Sequence, residues 1–379
     1  MKKQNLNELL FVLYIFLFAF IKLFFKINPS HTFLMLLFPT VLILIISLLY
    51  NGKNAIIIKP QIIFVTLFVL ITFILSIIFN NNSYLYLYLY EFLIYGLIPM
   101  YLFSKVTDYN MVINIGGKLS IIVFILYCSD PLNNYYYFSD YMGFGFGCML
   151  PVFFFSCLSR KLLKKNKYIF LEILSLAELL IFCNRGSFLT AILIEMMFFI
   201  VDNDKGFNKV AFFKVTVLLT FFFLLISKIN YFLVAIQILT KRMHFDSYSI
   251  SAISSMITGN STGLSGRDVI WKNALLYFSK SPFIGHGIGS FEKVYNIYTH
   301  NIILETLTSM GLIGVIILIV SIMKYFFKVI NDNNKCFYIG LLIMAIVPLM
   351  FSIYIYKWIY FWLFIYIAYA KSRNKKVGK

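Results

Sequence analysis

Apolar runs of roughly 16 to 20 residues, each bounded by polar or charged clusters, recur along almost the whole chain, and this is the length an α-helix needs to cross a ~30 Å hydrocarbon core. The runs predict spans near 9–27, 32–50, 61–79, 84–103, 111–127, 144–158, 168–183, 187–201, 210–228, 301–323, 336–351 and 353–370. The fold class expected is all-α, a polytopic membrane protein of about twelve transmembrane helices. The Tyr-Leu alternation from Tyr84 to Tyr90 has a strand's period. It lies inside a run of membrane length, however, where an open strand would leave its backbone unsatisfied, so it too is expected to be helical.

Between the ninth and tenth runs, from about residue 229 to 300, the chain is rich in Ser, Thr, Gly and Asn and shows helical patches but no span. This gives a domain plan of an N-terminal bundle (1–228), a long loop with short interfacial helices (229–300), and C-terminal spans with a basic tail (301–379). Long loops between spans are where function concentrates. The segment 128–142, with SDPLNNYYYFSDY, is aromatic and acidic. It reads either as an interfacial aromatic belt or as a sugar-stacking surface built on Tyr135, Tyr136 and Tyr137.

Composition agrees with this reading. Of 379 residues 61% are hydrophobic and only 13% charged, with a mean hydropathy of +0.86, whereas a soluble domain carries about 25% charged residues. The net charge of +18 would suggest nucleic acid in a soluble chain. Here the Lys and Arg clusters fall in alternate connections: Lys2 and Lys3, Lys53 and Lys59, Lys105, Arg160 to Lys167, Lys205 and Lys209, Lys324 to Lys335, and the tail from Lys371. The opposite connections are poorer in positive charge by roughly five to one, which places the basic side and both termini in the cytoplasm. The long loop is then outside, the expected location is the cytoplasmic (inner) membrane, and nucleic acid is discarded as a partner. The N-terminus reads as a first span, with no small-residue cleavage site. Cys128, Cys148, Cys157, Cys183 and Cys336 lack CxxC spacing and a nearby His, so neither a disulfide framework nor a metal site is indicated.

Charges within or near spans are costly and must face a partner or cavity: Glu91, Lys118, Glu172, Glu178, Glu195, Lys214 and Glu305. An ion-coupled transporter would use such groups, but the matching Gly or Pro breaks in two halves that mark transporters are absent. The stretch from Thr262 to Gly314 carries more chemistry. Arg267 opens a helical pattern in which Ile270, Trp271, Ala274, Leu275 and Phe278 recur at helical spacing, as in a helix lying on the outer membrane surface. Pro282 ends it. The turn GHGIGS (285–290) follows, and its glycines serve either an anion nest or a tight turn. His300 and Asn301 stand where the tenth span begins, and an interfacial histidine exchanges protons near neutral pH. Taken singly, His300 reads as an interfacial histidine and Arg185, in the outside turn CNRGS, as a snorkelling anchor; if the eighth span starts after Arg185 and the tenth after His300, both lie at the same outer depth, within reach of Arg267 on an interfacial helix. That set suits a pyrophosphate held by bidentate arginines, with histidine as the base for an attacking hydroxyl.

The order Arg-Gly-Ser before a span, a long outside loop with SGR and a following Trp, GHGIGSF, then His-Asn opening a span that runs into GLIG, resembles the O-antigen ligase and polymerase family. The resemblance covers about 184 to 314 and departs at SDYMGFGFG (139–147), where relatives carry Asn-rich sequence. It implies a metal-free, cofactor-free glycosyltransferase acting on undecaprenyl-pyrophosphate-linked glycans at the outer membrane face. In that reading Arg185 and Arg267 bind the donor pyrophosphate and His300 activates the acceptor. Trp271, Gly285, Gly287, Gly289 and Asn301 support the site. A polymerase of polysaccharide repeat units is the expectation, with ligase the alternative and a transporter or lipid-linked glycan flippase the rival from another class. A chain-length-determining co-polymerase and a flippase are the expected partners besides the bilayer. The acids at 202–204 (DND) resemble a metal-binding DxD, but the charge pattern puts them in a cytoplasmic turn beside Lys205.

Overall fold

A computed structural model describes residues 5–25, 32–129, 141–200, 266–329, 332 and 334–370. Among these the elements are helical: α1 (Leu6–Ile15), α2 (Leu17–Phe25), α3 (Thr32–Asn51), α4 (Pro60–Asn80), α5 (Ser83–Glu91), α6 (Ile98–Lys105), α7 (Tyr109–Tyr127), α8 (Tyr141–Phe144) and α9 (Leu150–Leu163). Then come α10 (Tyr168–Phe182), α11 (Arg185–Ile200), α12 (Arg267–Phe278), α13 (Ser290–Tyr295), α14 (Ile302–Val329), α15 (Lys335–Phe351) and α16 (Ile359–Tyr369). The Tyr-Leu alternation is helical, as α5.

Polar residues at the boundaries start several of these helices. The side chains of Asn82, Asp108, Asn184 and Asn301 accept from Leu85 N (3.1 Å), Met111 N (3.1 Å), Ser187 N (2.8 Å) and Ile303 N (2.9 Å), satisfying donors that a helix start leaves open. Pro60 takes the first position of α4, where its missing N–H costs nothing.

Among the described residues six helices are long and apolar enough to cross a membrane: 36–55, 60–80, 83–105, 109–127, 141–163 and 302–329. This is fewer than the roughly twelve runs read from the sequence, and the differences have local causes. The first run is split at Phe16 into α1 and α2, though the ladder continues through Phe16 N to Val12 O and Phe20 N to Phe16 O. The last run loses its first third: Ile355–Lys357 is a 3-10 turn, and α16 has 11 residues, about 16 Å of helix. The seventh and eighth runs form α10 and α11, of 15 and 16 residues. The ninth run (210–228) and Lys214 lie outside the described residues, as does most of the loop 229–300. On α3 and α4 large apolar side chains face outward, Leu49 and Phe79 being 77% and 75% exposed. In water such a belt would be a liability, and against hydrocarbon it is the natural surface.

The chain divides into two compact units. In the first, residues up to 52 and from 105 to 268, helices α9, α10 and α11 are tied by one ionic cluster. Arg160 donates to both oxygens of Glu172 (2.6 Å each) and to Glu195 (2.7 Å), and Cys157 Sγ donates to Glu195 (3.0 Å). Arg160, which by sequence belongs to the basic cluster with Lys161 to Lys167, reaches acids twelve and thirty-five positions on, which gives the embedded Glu172 and Glu195 the partner that a low-dielectric site demands.

The second unit comprises residues 53–104 and 269–379. Its longest helix, α14, breaks at Gly311 (φ 64°, ψ −157°), and the preceding loop fills the break. His286 N and Gly287 N donate to Thr308 O and Ser309 O (2.9 Å each), while Leu312 N and Ile313 N donate to Pro282 O (2.9 Å) and Phe283 O (3.2 Å). The kink frees carbonyls before it and N–H groups after it, and the loop supplies partners for both, as backbone in an apolar setting requires. At the other end of α14, Lys328 Nζ caps the last carbonyls of α16, Ile367 O (2.8 Å) and Ala370 O (2.7 Å).

Candidate functional site

His300 stands two residues before α14, half-buried, with φ 55°. A left-handed backbone at a residue with a Cβ costs about 1–2 kcal/mol and persists only where surroundings over-determine it. Those surroundings are specific. The His300 ring lies against that of Tyr298 (centroids 3.9 Å), whose hydroxyl donates to Ser352 O (2.6 Å). Thr299 is buried, its carbonyl accepts from Trp271 Nε1 (3.1 Å), and its hydroxyl donates to Asn301 O (3.1 Å). Asn301 caps α14 through Ile303 N (2.9 Å) and Leu304 N (3.3 Å), and its amide reaches Met350 O (3.5 Å). Trp271 and Asn301 therefore hold the two neighbours of His300, one from each side.

The turn 285–290 is packed against α14 and α4 through its backbone. Gly285 N donates to Ser281 O (3.1 Å) and Ile288 N to Ser76 Oγ (2.9 Å), besides the bonds of His286 and Gly287 already described. A Cβ on Gly285 would lie 2.5 Å from Met310 N and Ser309 C. Of the two roles the glycines allowed, the geometry matches the tight turn: the N–H groups an anion nest would offer at 285–288 already have acceptors within the protein.

Arg185 is the first residue of α11, half-buried, directly after the cap Asn184. Arg267 opens α12 and is also half-buried. Trp271, the glycine turn, His300 and Asn301 belong to the second unit, Arg185 and Arg267 to the first.

Among the embedded acids, Glu91 accepts from Tyr354 OH (2.5 Å), and Glu305 receives Ile355 N at 3.4 Å on each oxygen. The Tyr354 ring touches those of Tyr298 and Tyr88 (5.2 Å each). The connection 352–358 thus lies under Tyr298 and is fixed by two buried carboxylates. Sequence had flagged Glu91 and Glu305 as charges needing partners. Tyr298, Thr299 and Tyr354 carried no such signal, since tyrosine is abundant throughout this chain.

The described residues define a helical membrane protein in which a histidine at a helix start is locked between an indole and a cap, beside a glycine turn clasped into a kinked span. Residues 170–319 match the model of the O-antigen ligase family. Over that stretch the chain is similar to O-antigen ligases, the resemblance its motifs had implied. The matched stretch contains Arg185, Arg267, Trp271, the glycine turn, His300 and Asn301. Among curated proteins and among solved structures, none matches the chain.

Proposed function

We propose that the protein polymerises oligosaccharide repeat units carried on undecaprenyl pyrophosphate, at the outer face of the cytoplasmic membrane, into O-antigen, capsular or exopolysaccharide. The observation that carries this reading is the family match over 170–319, which takes in both arginines and the histidine of the proposed site. His300 removes the proton of the acceptor hydroxyl, whose oxygen attacks the anomeric carbon. The bond to the pyrophosphate oxygen breaks, and Arg185 and Arg267 bind the leaving group and offset its charge. One displacement inverts the anomeric centre. The strained His300 backbone supports this role, because outliers of this kind cluster where a side chain must be aimed. No metal takes part, since guanidiniums provide the charge that a cation would otherwise supply. Both termini are cytoplasmic in this reading, as the distribution of Lys and Arg favours.

A ligase that moves finished glycan to a lipid A core is the second reading, favoured by the description of the matching family as O-antigen ligase. Surface-glycan electrophoresis of a deletion strain carrying wild type or His300→Ala, at matched membrane levels, separates the two. A ladder restored by wild type and collapsed to single repeat units by the variant is expected. A single-unit product that also disappears on deletion favours ligation, and a full ladder with His300→Ala refutes the catalytic role.

A further inference from the structure

Beside the glycine turn the second unit has a small, partly open pocket walled by Tyr88, Ser290, Glu292, Glu305, Thr308 and Tyr356, among others. It offers ≈ 10 Å³ to the centre of a water-sized particle, inner room for about one such particle. Glu292 and Glu305 are only 5% and 6% exposed. Among the described residues neither is in an ion pair; Lys293, the basic neighbour, turns away to Asn80 Oδ1 (3.0 Å) and Asn81 O (3.2 Å). Among the described residues the Ser290 hydroxyl, 1% exposed, has no hydrogen-bond partner. The Thr308 hydroxyl shares its proton between Leu304 O (2.9 Å) and Glu305 O (3.1 Å).

Two carboxyls lining one buried pocket are costly as anions unless a proton or another cation neutralises them. Burial already holds the Glu292 carboxyl above the usual range. We propose that this pocket binds one dehydrated monovalent cation, Na⁺ or K⁺, between Glu292 and Glu305, with Ser290 as a neutral ligand. The donor set is all oxygen, which selects hard cations and disfavours Zn²⁺. The size of the space disfavours Mg²⁺, which keeps several waters. His300 is not among the walls, so the ion fastens α13 and the glycine turn to α14 and takes no part in bond making. The site is independent of what the protein transfers.

Thermal unfolding of the detergent-solubilised full chain in NaCl, KCl, CaCl₂ or choline chloride, at matched ionic strength, tests this. Wild type is expected to show a saturable rise in Tm with Na⁺ or K⁺ over choline. Ser290→Ala, which removes only a partnerless hydroxyl, is expected to need about tenfold more salt for the same rise, and Glu305→Gln to lose the response. Equal Tm in all four salts, a rise with CaCl₂ alone, or a response unchanged in Ser290→Ala overturns the proposal.

Discussion

Replacing Gly285 by alanine isolates the clasp between the glycine turn and the kinked span. Two costs add. The backbone at 285 has φ 68°, and an alanine there is strained by about 1–2 kcal/mol. The new Cβ would also stand 2.5 Å from Met310 N and Ser309 C. Both are backbone atoms of a helix, so no side chain can swing aside and the loop must lift. Lifting it endangers the bonds from His286 N, Gly287 N, Leu312 N and Ile313 N, each worth about 1 kcal/mol net. Losing two of them brings the total to about 3–4 kcal/mol. Gly52 is the control: its φ is 52° and a Cβ there meets nothing within 4 Å, so Gly52→Ala is expected to cost about 1 kcal/mol from strain alone. Equilibrium unfolding of the detergent-solubilised chain, followed by tryptophan fluorescence, should separate the two variants by at least ~2 kcal/mol, roughly 30-fold in the unfolding constant. If Gly285→Ala unfolds within ~1 kcal/mol of Gly52→Ala, the close approach does not hold the loop and the reasoning fails.

Trp271→Phe keeps a ring but removes the bond to Thr299 O; stability is expected to drop by ~1 kcal/mol and transfer per folded protein to fall about tenfold, and an unchanged rate per folded protein would deny Trp271 a positioning role. Arg160→Leu leaves Glu172 and Glu195 facing each other without their cation, and a destabilisation of about 3–5 kcal/mol in the same unfolding assay is expected; a change below ~1 kcal/mol would mean the cluster is solvated. Burial raises the Glu292 carboxyl above its ordinary value of 4.5, so the folded state binds the proton more tightly than the unfolded one. In choline buffer its stability contribution is therefore full below pH 4.5 and is lost as pH rises through the folded value. Glu292→Gln should flatten that slope, and an unchanged slope places its origin elsewhere.

Much of the helical order was legible in the sequence because its signals are local. Asn82, Asp108, Asn184 and Asn301 stand at the ends of apolar runs and cap the helices that follow. The embedded acids were legible as groups that need partners, and Glu91, Glu172, Glu195 and Glu305 all have them. What stayed hidden depends on contacts far along the chain. Gly311 sits in an unbroken apolar run that reads as straight helix, and its kink becomes tolerable only because Pro282 and Phe283 come back to it. The turn at 355–357 lies in an aromatic stretch with no breaker of its own, and it is held by Tyr298 on Ser352 O and Glu305 on Ile355 N. Arg160 looked like the first of several loop cations because charge runs usually are, and no local spacing reveals that Glu195 lies beside it.

The glycine turn also bears on the proposed reaction, on where the charge of a leaving pyrophosphate would be met. A backbone nest needs successive N–H groups free to converge on an anion. From Gly285 to Ile288 each N–H is held by a protein acceptor: Ser281 O, Thr308 O, Ser309 O and Ser76 Oγ in turn. Three of these bonds reach other elements, so opening them for a ligand would expose the broken ladder of α14 as well. The turn is consequently a structural clamp whose glycines permit two backbones to touch, and the same spacing in the sequence describes clamp and nest equally well. With the turn committed to α14, the positive groups available to a pyrophosphate on this domain are side chains. Under the proposed function, Arg185 and Arg267, at the starts of α11 and α12, would then bind a pyrophosphate in a way that the backbone N–H groups at 285–288 do not duplicate.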